Sequence, residues 1–293
     1  MPATTSIALS PVPPGRPLHA LTVDVEDWFQ SCIDYDAPIT ERVVRNVERL
    51  FAVLDDCAVK ATFFVQGRVA ETFPKLVETI AAEGHEVQAH GYSHRPLYAM
   101  DESTLREEVE RSRDTVEAAS GTRVNAFRAQ DFSILEGNLW ALDVIADVGF
   151  TVDSSIFPMR TRRYGIAGWD VAPHHVVLTD GRPLHEVPVA VLGSGRRRFP
   201  VAGGGYFRVL PFGVLDRAMR SIGAAGRPAV VYCHPYEFNP TELEDYRGKV
   251  PSRVLRQQSL GRRRFVSRLR RLLGSHAFGR FDDVLAARGV TPG

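Results

Sequence analysis

The 293-residue sequence predicts an α/β fold, a barrel of parallel strands each followed by a helix and distorted from the regular eightfold form. Three observations predict it. Short apolar runs rich in Val, Thr and Phe alternate with longer segments of helical spacing, the pattern of parallel strands joined by crossovers. The length suits one large unit better than two small ones, and neither a repeat nor a linker divides it. Fewer strand–helix pairs can be counted than the eight of a regular barrel, so the barrel is distorted.

Residues 1–17 carry Pro2, Pro11, Pro13, Pro14 and Pro17 without a continuous apolar run. They read as a flexible leader and not as a secretory signal, which makes the cytoplasm the expected compartment. Leu18–Val23 is a buried strand, and Ile39–Leu54 places Val43, Val47, Leu50 and Leu54 on one helical face. Ala61–Val65 is a second strand, followed by a helix from Pro74 through Ile80 that Gly84 closes. His85–Ala89 is a third strand ending at His90. Asp101 or Ser103 caps a long helix that stops at Gly121. A strand near Val124–Phe127, a helix over Leu139–Val148 ended by Gly149, and a strand over Phe150–Val152 continue the rhythm. From Arg160 to Leu210 the chain is irregular, with strand-like pieces at Leu184–Leu192 and Tyr206–Leu210. A helix follows Pro211, Ala229–Cys233 is a buried strand, and helical patterns return at Phe265–Leu273 and Phe281–Ala287.

Composition excludes several classes. With 44% hydrophobic and 24% charged residues the chain is an ordinary globular protein, and no stretch reaches the ~20 apolar residues of a membrane-spanning helix. A net charge of +1 predicts no nucleic-acid partner. Cys32, Cys57 and Cys233 are too scattered for a disulfide framework or a cysteine metal site. From Arg247 to Arg280 there are many arginines and no acidic residue. This run reads first as a solvated basic face, and second as a surface attracted to an anionic sugar, a nucleotide-linked carrier or a membrane.

The chemistry collects at the carboxyl ends of the strands, which in a barrel share one face. The first is followed by Asp24-Val25-Glu26-Asp27, the third by His90-Gly91-Tyr92-Ser93-His94, the next by Arg128, then by Asp153-Ser154-Ser155, and the last by His234-Pro235. His90 and His94 meet if the turn between them is helical, and imidazole pairs suit divalent transition metals. The three carboxylates of Asp24–Asp27 would repel one another, and a cation relieves that repulsion. Gly193–Gly195 and Gly203–Gly205 lack the strand-to-helix setting of a phosphate loop and read as turns. Cys233 points away from His234 and reads as a core thiol. Trp140 reads as a core residue, whereas Trp28, Tyr92 and Tyr236 are candidates for stacking on sugar rings.

The ordered set resembles a family. His90-Gly-Tyr-Ser-His94 after Gly84-His85-Glu86-Val87 is similar to the histidine motif of the NodB-type polysaccharide deacetylases, carbohydrate esterase family 4. Thr22-Val-Asp24-Val-Glu-Asp27-Trp-Phe resembles the first motif of the subfamily encoded with exosortase-linked exopolysaccharide loci. Phe127-Arg128-Ala129 with Phe132, Asp153-Ser154-Ser155 with Pro158, Gly203–Arg208 and His234–Phe238 resemble the later motifs in order. The resemblance implies a distorted (β/α)7 barrel of the NodB type, one domain over 18–293 with a basic helical extension from about residue 240. It implies metal-dependent removal of N-acetyl groups from an acetamido sugar in an exopolysaccharide or its precursor.

Residue by residue, Asp24 matches the general base, His234 the general acid, and Arg128 the residue that orients the base. His90 and His94 match metal ligands. The third ligand usually follows the base directly, where Val25 stands, so Glu26, on the strand face of Asp24, or Asp27, at the start of the loop, takes that place. The implied ion is divalent, Zn2+ first and Co2+, Ni2+ or Mn2+ as alternatives. Tyr92, Asp153, Trp28 and Tyr236 are expected to bind substrate. Gln130-Asp131 replaces the usual proline of the arginine motif, and the aspartate partner of the acid histidine has no match, Glu186 being the candidate. The expected partner is an N-acetylated oligo- or polysaccharide, with peripheral contact to an exopolysaccharide assembly complex. Two other readings compete: hydrolysis of a different amide on the same scaffold, as in allantoinase-like relatives, and a catalytically silent carbohydrate-binding module.

Overall fold

The computed structural model describes residues 4–5, 17–195 and 197–289. Among the described residues, seven strands follow one another in parallel around the barrel wall: β1 (Leu18–Val25), β2 (Thr62–Val65), β3 (Glu86–Ala89), β4 (Ala126–Phe127), β5 (Val152–Asp153), β6 (Pro183–Glu186) and β7 (Val230–Cys233). Their order around the sheet is β6-β5-β4-β3-β2-β1-β7. β6 and β7 do not pair, and this gap is the distortion. It is spanned by the segment between them: Ala190 N–H donates to Val230 O at 2.9 Å, Tyr232 N–H donates to Ala202 O at 2.9 Å, and Gly203 bridges Tyr232.

The strands read as continuous apolar runs because both of their faces are covered, as a parallel sheet requires. Along β1 the two faces differ in chemistry. Leu21, Val23 and Val25 enter the main hydrophobic core, while Thr22, Asp24 and Glu26 share the opposite face by the two-residue period of a strand. Helix ends follow local signals. Asp101 caps Glu102–Ser120 by accepting from Thr104 N–H at 2.9 Å, and Gly121 ends it in the left-handed region at φ 67°. Gly149 ends Ala141–Val148 in the same way at φ 110°.

The structure revises several boundaries. The second helix begins at Arg42, three residues after Ile39. The irregular section contains an antiparallel pair, His174–Val177 against β6, and a hairpin of Val191–Ser194 with Arg197–Pro200. Tyr206–Leu210 is not a strand: Gly204–Val209 is a helix, and the β-forming side chains there yield to tertiary context. Trp140 stands 36% exposed just before its helix and is not a core residue. Of the expected leader, Thr4–Thr5 pairs antiparallel with His174–Val177, Pro17 is described, and the remainder lies outside the described residues. No helix among the described residues is long and apolar enough to cross a membrane.

The C-terminal basic segment packs on the barrel. Helix Arg262–Ser275 buries Arg262, Phe265, Leu269, Leu272 and Leu273, and Ala277–Gly279 pairs with the start of β1. Beyond it Phe281 N–H donates to Thr62 Oγ1 at 2.6 Å and Asp282 N–H to Glu86 Oε2 at 3.1 Å, sealing the amino-terminal end of the barrel. Burial and the facing Asp282 carboxylate push Glu86 up to about 7.

Gly203 limits the closure directly, because a Cβ there would lie 2.1 Å from the Tyr232 carbonyl oxygen. Gly203→Ala is expected to cost about 1–3 kcal/mol by overpacking, read as a lower urea midpoint with an unchanged slope.

Candidate metal centre and active-site cavity

Three side chains meet at the carboxyl ends of β1 and β3. One ligand atom from each of Glu26, His90 and His94 lies within 4.8 Å of the others, and all three residues are buried. Glu26 Oε2 touches His94 Nε2 and lies 3.5 Å from His90 Nε2. His90 Nδ1–H donates to the Arg128 carbonyl at 2.8 Å, which fixes the tautomer and turns Nε2 toward Glu26. Burial alone would raise the Glu26 carboxyl, but the His94 charge and hydrogen bonds from both imidazoles hold it well below the usual range. Burial alone would lower His94, and Glu26 raises it.

The histidines do not meet through a helical turn. Residues 90–94 form a bend in which Gly91 (φ 65°) and His94 (φ 68°) are left-handed. The bend is held from outside. Glu108 Oε1 accepts from Tyr92 N–H at 2.9 Å, Ser93 N–H at 2.7 Å and Ser93 Oγ–H at 3.0 Å, and Gln30 Nε2–H donates to Ser93 O at 2.9 Å. Sequence reasoning missed Glu108, since in a polar-faced helix one buried glutamate carries no distinguishing signal.

Arg128 is fully buried. Its Nη1 donates to Asp24 Oδ1 at 2.8 Å and Thr22 Oγ1 at 2.7 Å, and its Nη2 to Ser154 Oγ at 3.0 Å. The guanidinium lies 4.1 Å from the ring centre of Phe64. Across the site His234 pairs through Nδ1 with Glu237 Oε2 at 3.2 Å, while its Nε2 lies 3.9 Å from Glu26 Oε1. Burial would lower His234, but the Glu237 hydrogen bond and the charges of Glu26, Glu237 and Asp24 raise it to about 9. The histidine partner is therefore Glu237, not Glu186. Its signal was three residues away, because the Glu237 carboxylate also caps the His234 N–H at 3.1 Å. Arg208 Nε stands 3.4 Å from the other oxygen of Glu237.

Several expected site residues have other work. Asp27 is not a ligand: Oδ1 accepts from Phe29 N–H at 3.0 Å as a helix cap, and Oδ2 accepts from Thr40 N–H at 3.0 Å. Trp28 is 1% exposed and packs its ring 5.0 Å from Tyr246, so it offers no stacking surface. Tyr92 faces Arg111 and Glu71 on the outer helices, away from the cavity. Asp153 is buried, holds the Ser155 hydroxyl at 2.6 Å and lies beside Glu186, which burial and the Asp153 charge push well above the carboxylate range. Tyr236 does line the cavity, but its hydroxyl donates to Glu26 Oε1 at 3.1 Å. It positions Glu26.

The cavity encloses about 800 Å3, and Asp24, Glu26, His90, His94, His234 and Tyr236 are in its wall. Asp131 (φ 55°) and Phe132 (φ 50°) also line it from the turn after Arg128, where the usual proline is absent. Such strained backbone clusters at functional sites.

Comparison with known proteins adds the family. The polysaccharide deacetylase model matches residues 15–150, and a domain of unknown function, DUF3473, matches residues 154–286. Over residues 15–150 the chain is similar to the polysaccharide deacetylase family. A peptidoglycan-N-acetylglucosamine deacetylase from Bacillus cereus is 37% identical over 86 residues, 29% of this chain and 31% of that protein. A chitooligosaccharide deacetylase from Rhizobium leguminosarum bv. trifolii is 35% identical over 71 residues, 24% of this chain and 33% of that protein. The chain thus spans about a third of the length of these deacetylases. A crystal structure of a Mycobacterium smegmatis protein, provisionally named a polysaccharide deacetylase, superposes with a TM-score of 0.64 at 21% identity, covering 99% of this chain and 97% of that one. Puue allantoinase superposes equally well, TM-score 0.64 at 16% identity, covering 94% and 91%. These likenesses establish the distorted deacetylase barrel.

The donor set of this deacetylase fold fits a divalent cation. Two imidazoles and a carboxylate are a set that zinc and its neighbours accept. Glu26 Oε2 has only the two imidazoles for partners, and His94 Nδ1 is buried without one; a cation among the three side chains would replace the direct imidazole–carboxylate contacts with ligand bonds. His94→Ala is expected to abolish retention of zinc in elemental analysis after dialysis, with the far-UV circular dichroism unchanged; retained metal would remove His94 from the ligand set.

Proposed function

We propose that the protein is a metal-dependent hydrolase that removes N-acetyl groups from an acetamido sugar of an exopolysaccharide or its precursor. The observation that carries this reading is that one cavity wall presents both Asp24 and His234 beside the trio Glu26, His90 and His94. Holding a sugar without turning it over requires neither.

Glu26, His90 and His94 would hold the cation, Zn2+ by ligand chemistry, and a cation there would polarise the amide carbonyl and lower the pKa of a water toward ~7. The residues supply the rest. Arg128 aims Asp24 through the hydrogen bond from Nη1 to Oδ1. Asp24 takes a proton from the water as its oxygen attacks the acetyl carbon. His234 engages Glu237 through Nδ1 and presents Nε2–H to the sugar nitrogen, protonating it as the C–N bond breaks to leave acetate and a free amine. Tyr236 steadies Glu26 through its hydroxyl.

The test is acetate release from N,N′,N″,N‴-tetraacetylchitotetraose by zinc-loaded protein. Asp24→Asn is expected to lower kcat/KM by about 10²–10⁴-fold, the usual worth of a general base. Metal binding with no acetate from any acetamido sugar would favour the silent carbohydrate-binding module. Turnover of allantoin alone would move the reaction to another amide.

A pH profile tests the acid. A histidine raised to about 9 stays protonated through neutral pH, and activity falls as pH rises through its pKa. A cation on Glu26 cancels part of that carboxylate's pull, which places the alkaline limb of the loaded enzyme below 9. Glu237→Gln removes both the charge and the charged acceptor, so the alkaline limb is expected to move to lower pH while the acid limb stays in place. An unmoved alkaline limb would take the general-acid role from His234.

A further inference from the structure

Beyond Arg208 lies a second cavity, of about 510 Å3, that shares Arg208, Val209 and Leu260 with the active-site wall. Arg208, Arg247, Arg262, Arg263, Arg264 and Arg268 line it, against one carboxylate, Glu244. Glu244 is taken by Arg247 at 3.7 Å, and Arg208 faces Glu237 on the catalytic side. Arg262, Arg263, Arg264 and Arg268 form no ion pair with any carboxylate of the described residues.

The placement of three of these charges runs against local electrostatics. Arg262, Arg263 and Arg264 occupy the first turn of the helix Arg262–Ser275, the end where the backbone already presents positive potential and unpaired N–H groups. Gly261 at the N-cap offers no side chain to those groups, and no acidic residue stands in the first turn. Arg262 is only 3% exposed, and its Nη2 is buried without a partner. Arg263 and Arg264 remain exposed at the rim. A cavity lined by six arginines, a helix amino terminus and a buried guanidinium whose Nε and Nη1 are bonded to Gln258 O and Tyr236 O but whose Nη2 is unpaired converge on one chemistry: an oxyanion taken by arginine side chains.

We propose that this cavity is a subsite for an oxyanion, phosphate or carboxylate, carried by the part of the glycan adjoining the sugar whose acetamide enters the catalytic cavity. The proposal rests on the deacetylase reading for the neighbouring cavity, and it narrows the substrate class to acetamido glycans bearing negative charge.

Calorimetric titration of metal-free protein at low salt compares three probes: tetraacetylchitotetraose, which is neutral; a hyaluronan tetrasaccharide, which carries carboxylates beside N-acetylglucosamine; and UDP-N-acetylglucosamine, which carries phosphates. At least one charged probe is expected to bind about tenfold more tightly than the neutral one, with the advantage shrinking as salt screens it. Preference for the hyaluronan probe alone assigns a carboxylate, and preference for the nucleotide sugar alone assigns a phosphate. R263A/R264A is expected to remove the preference. R123A/R217A, which takes equal charge from residues lining neither cavity, is expected to keep it. No preference, a preference surviving R263A/R264A, or one lost equally in R123A/R217A would overturn the subsite. Acetate release from the neutral tetrasaccharide is scored separately. Its absence with the charge preference intact rejects the deacetylase reading alone, and its presence without the preference rejects the subsite alone.

Discussion

A guanidinium with no exposure to water organises this molecule. Arg128 projects from the end of β4, bonds Thr22 and Asp24 of β1 and Ser154 after β5, and lies over Phe64 of β2. Burying such a cation is costly unless its charge and its donors are matched. Its terminal nitrogens are matched because β1, β4 and β5 end at one level, with Thr22, Asp24 and Ser154 turned toward it. The same residue sends its carbonyl to His90, so the strand geometry that neutralises Arg128 also orients an imidazole. Removing either partner of a buried pair leaves an uncompensated charge, which binds the integrity of the barrel mouth to Asp24.

A second chain of charges approaches from the other side. Arg208, Glu237 and His234 follow one another toward Glu26, alternating in sign, and Tyr236 and Arg262 brace it. Arg262 lies 5.5 Å from the ring centre of Tyr236 and Nε donates to Gln258 O at 2.8 Å. The C-terminal basic segment thus has two faces. One is packed beneath the turn that carries His234 and Tyr236, and the other lines the arginine cavity. Reading the run from Arg247 to Arg280 as a solvated surface describes only its outermost residues.

Much of the site was legible because strand periodicity is strict. Glu26 had to share the face of Asp24, and the structure brings it to the histidines. Asp27 was not separable by type, since a carboxylate caps a helix as readily as it binds a metal, although Gln30 three residues on is a helix-start signal. Trp28 and Tyr236 followed strand ends, where a sugar platform was reasonable. Tyr246, from a segment whose packing has no local signature, covers the first, and the Glu26 carboxylate engages the second. Glu108 was illegible for the same reason, because its partners are backbone amides that only the folded bend presents. In the barrel, clear periodicity located the helices. The region from Arg160 to Leu210 failed because its short strands and helix depend on the closure they complete.

That closure joins residues far apart along the chain. His19, on β1, accepts from Ala229 N–H across 210 residues, and the base of the same strand pairs with Ala277–Gly279. During synthesis β1 therefore stands as a bare apolar edge while the greater part of the chain is still being made, a situation that favours slow, aggregation-exposed folding.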